Sequence, residues 1–419
     1  MKAKNLFKKW KYPSILLLGI GISNLGAWMY LIALNLIIFN LTGSPLAVAV
    51  LYILLPVAAL ATNLWAGSVV DRLNKRNCMI FLDIFRAILI FQIPWLLEHS
   101  LWLVYMIVFF INMAGAVFGP ASMVYITKLI PVKERRKFNS FRSLIDSGAF
   151  LLGPALAGLL FMVGSPEFAI TFNACAFFFS GMITLFMPDL EKNLKNDLGK
   201  EKISSAMLKK DFFMVMNFSR KHLYIMLVYF LFTSVIIMTE AVDSLEAAFA
   251  KEVLLLSDSD YGFLVSIAGA GIIAGAILNT LLVKKLTVSA LIGLGAVFVS
   301  SGYLLYAFSH TFFMAAAGFF FLSFFTAFIH TGFLTFYQNN IPVEEMGRIS
   351  SIYELIQAVF VIFTTLLIGF LAQAVSIQNA VIAGAFVMLF FAAVLSFFCM
   401  PASKKEYFQD IPVEETKAV

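Results

Sequence analysis

The sequence predicts an all-α membrane protein with twelve transmembrane helices arranged as two six-helix pseudo-repeats. Three observations lead there. Of the 419 residues, 61% are hydrophobic and only 13% charged, against roughly 25% charged in a soluble domain. The apolar residues fall in long charge-free runs of the length that crosses a bilayer. A short segment also recurs at equivalent places in the two halves of the chain. A globular surface in water needs more polar side chains than this chain owns, which excludes a soluble enzyme and a disordered protein.

The elements follow in order. From Tyr12 to Val70 there is no Asp, Glu, Lys or Arg. Thr42-Gly43-Ser44-Pro45 interrupts that stretch with a turn, a helix N-cap and a proline at the first helical position, giving spans near 14–40 and 46–70. Further runs lie near 78–97, 101–126, 138–163 and 167–187. The longest polar segment, 189–221, comes next, and its 201–218 stretch mixes Lys202, Lys209 and Lys210 with Ile203, Met207, Phe212 and Phe213, as an amphipathic helix on a membrane surface would. Spans near 222–245 and 259–283 follow. Leu286–Val343 divides at Ser309-His310-Thr311, and Leu355–Ser403 divides at Ser376-Ile377-Gln378. The expected domains are an N-terminal bundle (1–188), a central loop (189–221), a C-terminal bundle (222–400) and a tail (401–419).

Orientation follows from where Lys and Arg fall. Five precede the first span, three sit in 71–77, five in 127–137, eight in 189–221, two at 284–285 and three in the tail. Lys251 is the only basic loop residue of the opposite face. Both termini and the central loop are therefore expected in the cytoplasm, and the protein in the plasma membrane. The formal net charge of +6 and the pI near 9.0 are topology information, and no nucleic-acid partner is expected. The basic start resembles a secretory signal, but its apolar run is too long and lacks a small-residue cleavage site, so a retained first helix is expected. Cys78, Cys175 and Cys399 lie in or beside apolar runs without metal-binding spacing and read as inert core residues.

Ile130-Pro131-Val132-Lys133-Glu134-Arg135-Arg136-Lys137-Phe138-Asn139-Ser140 recurs as Ile341-Pro342-Val343-Glu344-Glu345-Met346-Gly347-Arg348-Ile349-Ser350-Ser351. Both copies fall between the fourth and fifth helix of their own half. Two equivalent halves around a central loop are the expectation for a transporter whose repeats rock about a midplane site.

Gly67-Ser68-Val69-Val70-Asp71-Arg72-Leu73-Asn74-Lys75-Arg76, between spans two and three, resembles the G-x-x-x-D-R-x-G-R-R signature of the major facilitator superfamily. Asn74 stands where the family carries Gly, and Asn tolerates the left-handed backbone best after Gly. The resemblance implies the major facilitator fold and a latch role for Gly67, Asp71, Arg72 and Arg76. In the family, Asp71 faces the N-terminus of the eleventh span. Gly148 with Gly153-Pro154-Ala155-Leu156-Ala157-Gly158 resembles a degenerate antiporter signature, in which glycines and proline bend helix five, although Ser140 and Ala149 replace its upstream glycines. Asp83 and Arg86, with Pro131 through Asn139, resemble the branch of macrolide efflux pumps and enterobactin exporters. Span four has no basic residue where drug/proton antiporters usually carry an arginine.

Ionisable groups inside a span are costly unless paired or wet, so each is a candidate. Glu240, Asp243 and Glu246 lie at spacing three, within about 120° of one face of span seven, and suit a cationic substrate or a proton. A span ending near Val242 would instead leave them in an acidic outer loop. Asp83–Arg86 and Arg142–Asp146 have the spacings of intrahelical ion pairs and read as gate or packing devices, while Glu354 sits one turn inside span eleven as an inner-gate residue. Asn24, Asn112 and His330 are candidate cavity-lining groups; Asn35, Asn63, Asn173 and Asn279 read as interhelical hydrogen-bonding groups. No nucleotide-binding loop, hydrolase elbow or metal-ligand set is present in the sequence, so no metal, cofactor or enzymatic activity is expected. The combined expectation is a proton-coupled exporter of amphipathic, cationic drug-like compounds such as macrolides, acting as a monomer in the bilayer. A dedicated exporter of an endogenous metabolite or siderophore is the alternative, and a non-transporting receptor or scaffold comes last.

Overall fold

The computed structural model describes residues 2–191, 205–282 and 285–408. Among these, every long apolar run is helical and twelve helices are long and apolar enough to span a bilayer. In hydrocarbon each backbone N–H and C=O must find its partner within its own segment, and a helix achieves this. Helices α1 (Lys2–Thr42) to α6 (Glu167–Leu185) include α2 (Pro45–Arg72), α3 (Lys75–Leu97), α4 (Leu101–Leu129) and α5 (Val132–Val163). The amphipathic α7 (Ser205–Lys221) precedes α8 (Leu223–Asp243), the short α9 (Glu246–Glu252), α10 (Asp258–Leu282), α11 (Val288–Ala307), α12 (Phe312–Asn340), α13 (Val343–Ala374) and α14 (Ile377–Cys399).

The turns use the chemistry the sequence offers. Gly43 takes a left-handed φ of +59°, Ser44 Oγ accepts the Ala47 N–H at 3.3 Å, and Pro45 opens α2. Thr311 and Ser376 cap α12 and α14 with their hydroxyls. The repeated segment has one conformation in both copies. Ile130 and Ile341 end α4 and α12 in extended backbone, and Pro131 (φ −56°, ψ 144°) and Pro342 (φ −57°, ψ 137°) start α5 and α13. Both α4 and α12 have 29 residues, and both α5 and α13 have 32.

Several expectations are corrected. Helices α1, α5 and α13 begin ahead of the apolar runs at 14, 138 and 355, because hydropathy marks only the hydrocarbon-embedded part while helical hydrogen bonding continues beyond it. Helix α2 runs through Arg72, placing Asp71 in a last helical turn rather than a loop. Asn74 is extended (φ −64°, ψ 116°) and not left-handed. Its side chain instead caps α3, accepting the Asn77 N–H at 3.1 Å, and donates to Asp189 at 2.8 Å. Helix α8 stops at Asp243, so Glu246 opens a separate helix and does not extend the acidic face. Cys175 is exposed, while Cys78 and Cys399 are buried.

The chain forms two compact units. The first comprises Met1–Glu201 with Ser244–Gly269; the second comprises Lys202–Asp243 with Ala270–Val419. The segment carrying α9 and the start of α10 thus belongs with the first unit, although it follows α8 in sequence. In that first unit α3 packs on α6 and α4, α1 on α5 and α6, and α2 on α4. Lys251 pairs with Asp258 at 2.7 Å, and Asn40 of α1 donates to the same carboxylate at 3.5 Å. In the second unit α11 packs on α12 and α14, and α8 on α13 and α14. Asn279 of α10 donates to Thr331 of α12 at 2.8 Å, an interhelical bond of the kind that residue type predicts.

Candidate functional site

In the first unit the candidate groups gather around α3. An aspartate in an apolar helix is tolerable only if compensated, and Asp83, fully buried, accepts the Arg86 guanidinium of the next turn and the Ser180 hydroxyl of α6 at 2.8 Å. The guanidinium lies between two rings, 4.5 Å from the Phe118 centroid and 4.2 Å from that of Phe177. Flat delocalised charge between aromatic faces is favourable where water is excluded. Arg86 also reaches a cavity of about 600 Å³ within this unit, whose wall includes Asn112 and Asn173. A sequence reading that separates Arg86 as a gate residue from Asn112 as a lining residue therefore divides two groups that share one cavity.

The second predicted pair is looser and partly exposed. Arg142 Nε stands 3.9 Å from Asp146, which accepts the Asn24 amide at 2.6 Å. This ties α1 to α5. The helix-five glycines serve two purposes. A Cβ at Gly153 would meet Trp28 Cβ at 2.6 Å, and one at Gly158 would meet the Ser259 carbonyl at 2.8 Å. These two glycines let α1 and α10 approach α5, with Pro154 inside the helix between them. Gly148, in contrast, faces open space beside an apolar groove between α1 and α5.

The signature loop is described in part. The side chains of Gly67, Asp71 and Arg72 lie outside the described residues, as does that of Asn63. Arg76 donates to the carbonyls of Thr184 and Leu185, closing the C-terminus of α6, where a cation suits the helix dipole. Glu191 accepts the Lys75 backbone N–H at 2.8 Å and pairs with the ammonium groups of Lys75 and Lys128.

In the second unit, Asp243 ends α8 and accepts the Tyr303 hydroxyl of α11 at 2.7 Å. Glu240, one turn earlier, is exposed. Among the described residues no Lys or Arg forms an ion pair with either carboxylate. His330 and Glu354 are exposed on α12 and α13. The His330 ring stands edge-on to Phe232, 6.0 Å away, in an aromatic group that sequence reading missed. Phe232 stacks on Phe333 at 3.6 Å, and Tyr229 contacts Phe333, Tyr337 and Tyr353. These rings come singly from three helices, so no local run of aromatic residues announces them. Tyr303 is equally silent in sequence, because only the packing of α11 brings it to Asp243.

Comparison with known proteins fits this geometry. The family model of the Major Facilitator Superfamily matches residues 16–359 and again 241–418. The uncharacterized MFS-type transporter YfiS of Bacillus subtilis (strain 168) is 30% identical over 186 residues, 44% of each chain. BacE of the same organism, a protein proposed to export bacilysin, is 28% identical over 135 residues, 31% of this chain and 34% of its own. The matches thus span less than half the length of these curated relatives. The solved nucleoside transporter NupG superposes with a TM-score of 0.71 at 14% identity over 93% of this chain and 98% of its own. A D-xylose-proton symporter does so with a TM-score of 0.69 at 13% identity, over 93% and 97%. At such identity the likeness concerns the fold. With twelve apolar helices, two matching repeats and a family model spanning most of the sequence, the chain belongs to the Major Facilitator Superfamily, whose members are multi-pass membrane transporters and not enzymes.

Proposed function

We propose that the protein is a proton-coupled secondary exporter of amphipathic, cationic drug-like compounds of the macrolide type, working by alternating access as a monomer in the plasma membrane. The observation that carries this reading is the α8 carboxylate pair. Asp243 is held by a neutral hydroxyl, Glu240 is exposed beside it, and no arginine or lysine neutralises them among the described residues. Such a pair can take up a proton or a substrate cation in turn, which is what antiport requires. The helix-five glycines favour the export direction through their likeness to the antiporter signature, and the proposed export role of BacE supports it. The basic residues that cluster at alternate loops support cytoplasmic termini. The two sequence halves would move as the rocking bodies, with Gly67, Asp71, Arg72 and Arg76 as latch, and Arg142, Asp146 and Glu354 serving the gates.

Everted membrane vesicles test the reading. Acidifying the interior should drive uptake of cationic dyes and macrolides, and collapse of the proton gradient should stop it. Glu240→Gln and Asp243→Asn should each lower uptake by roughly tenfold or more. Gradient-independent uptake, or full activity in both variants, would refute proton coupling at α8. Preferential movement of anionic siderophore-like compounds would favour the endogenous-exporter alternative.

A further inference from the structure

The cavity of the first unit holds polar groups that the coupling scheme leaves unused. Its wall is formed by α1, α2, α3, α4 and α6 and includes Trp28, Tyr30, Arg86, Asn112, Asn173 and Phe177 around about 600 Å³, a volume typical of small-molecule sites. Asn173 is 1% exposed, yet neither its amide nitrogen nor its amide oxygen has a hydrogen-bond partner. The Tyr30 hydroxyl and Arg86 Nε are likewise buried and unpartnered. Proteins rarely bury polar atoms unpaired, because each loses its bonds to water without replacement. Four such atoms on one cavity wall point to a ligand that pairs them.

The electrostatics select its class. Arg86 is 8% exposed and neutralised by Asp83, so the lining carries no net charge and a buried ion would go uncompensated. Asn173 presents one donor and one acceptor in a single plane, the pattern a second amide satisfies with two opposed hydrogen bonds. Arg86 Nε–H and Tyr30 O–H add donors suited to a carbonyl oxygen, and the Trp28 and Phe177 rings offer apolar faces to the groups flanking it. The amide is held in place by packing. A Cβ at Gly26 would lie 2.9 Å from Asn173 Oδ1, so α1 passes directly against it.

We propose that this cavity binds the uncharged carboxamide or peptide group of a small amphipathic compound, with Asn173, Tyr30 and Arg86 as its hydrogen-bonding set. The inference deepens the export reading and rests on it only in treating the bound compound as substrate. It narrows that substrate to molecules carrying a neutral amide apart from any cationic centre.

The test is binding to the full-length protein in lipid nanodiscs, followed by tryptophan fluorescence and by thermal midpoint. Three probes share one ring: N-acetyl-phenylalaninamide is neutral, phenylalaninamide is cationic and N-acetyl-phenylalanine is anionic. The neutral probe should bind roughly tenfold more tightly than either ion. Asn173→Leu should weaken its binding by roughly tenfold, and Tyr30→Phe, which keeps the ring and the fold, by about threefold. Both variants should unfold at or above the wild-type midpoint without probe, since each deletes an unpaired buried group. Equal binding of an ionic probe, no binding of the neutral probe at millimolar concentration, or unchanged affinity in Tyr30→Phe would overturn the assignment. Binding without proton-driven uptake would sink the export reading alone; uptake of cationic dyes without binding of the neutral amide would sink this one alone.

Discussion

Asp83 in the first unit and Asp243 in the second are aspartates in helices of equally apolar character, yet their surroundings differ. Asp83 has a guanidinium one turn away, a serine hydroxyl on the facing helix, and two rings enclosing the cation. Asp243 has a tyrosine hydroxyl and a second carboxylate one turn earlier. A charge neutralised where it stands has no reason to exchange its partner, so it fixes α3 against α6. A carboxylate whose only partner is neutral keeps its charge available to a proton or a cation. Presence of a charge inside a span is therefore a weak functional signal, and the manner of its compensation is a strong one.

The largest effect should come from breaking the compensated site. Arg86→Met leaves Asp83 buried and unpaired and should cost about 3–5 kcal/mol of stability. Adding Asp83→Asn should restore most of that loss, because removing both charges is far cheaper than orphaning one. Thermal unfolding in nanodiscs measures both, and a single-variant loss below about 1 kcal/mol would erase the distinction between the sites. The uncompensated site should show the opposite profile. Asp243→Asn keeps an oxygen that can accept from Tyr303, so stability should change by less than about 1 kcal/mol, while proton-driven uptake falls by roughly tenfold, about 1.4 kcal/mol in the transport barrier. A variant that unfolds instead would make Asp243 structural.

The Asp83–Arg86 pair and the Arg142–Asp146 pair were legible in sequence because spacings of three and four along one helix place side chains on one face, whatever the tertiary structure. The span count and the turn at Thr42–Pro45 were legible for the same reason: bilayer thickness and cap chemistry act locally. Tyr303, Ser180 and the ring group around Tyr229 were not, since each comes from a helix distant in sequence and gains its meaning only from packing. The break after Asp243 escaped because Ser244 and Leu245 carry no glycine or proline signal, and an acidic face at spacing three read as continuous helix. Asn74 misled in another way: its tolerance of the left-handed region was invoked, while its capping ability is what the chain uses.

A smaller effect separates charge from hydrogen bonding at the compensated site. Ser180→Ala removes one neutral donor from Asp83 and leaves the guanidinium in place, so it should cost about 1–2 kcal/mol in the same unfolding assay. A loss as large as that of Arg86→Met would mean that the hydroxyl, and not the ion pair, holds the site.

The smallest effect is expected where compensation occurs in a wetter place, at Glu191 beyond the end of α6. Partial burial alone would push its carboxyl up. The Lys128 hydrogen bond, the Lys75 backbone N–H and the two ammonium charges outweigh that and hold it below the usual carboxylate range. The group is therefore more acidic folded than unfolded. Its contribution is fully present above the ordinary glutamate value, about 4.3, and is lost as pH falls through the depressed folded value. Because the Lys128 side chain is 39% exposed, solvent screens the pair, and Glu191→Gln should cost about 1 kcal/mol or less at pH 7. The difference from wild type should shrink in 0.5 M salt and vanish near pH 3, estimates that follow from screening and linkage. Unfolding midpoints of the two proteins across that pH series check this. A salt-insensitive loss of the size expected for Arg86→Met would show that the Lys75–Glu191–Lys128 cluster is shielded like Asp83. The contrast between compensated sites would then depend on geometry and not on access to water.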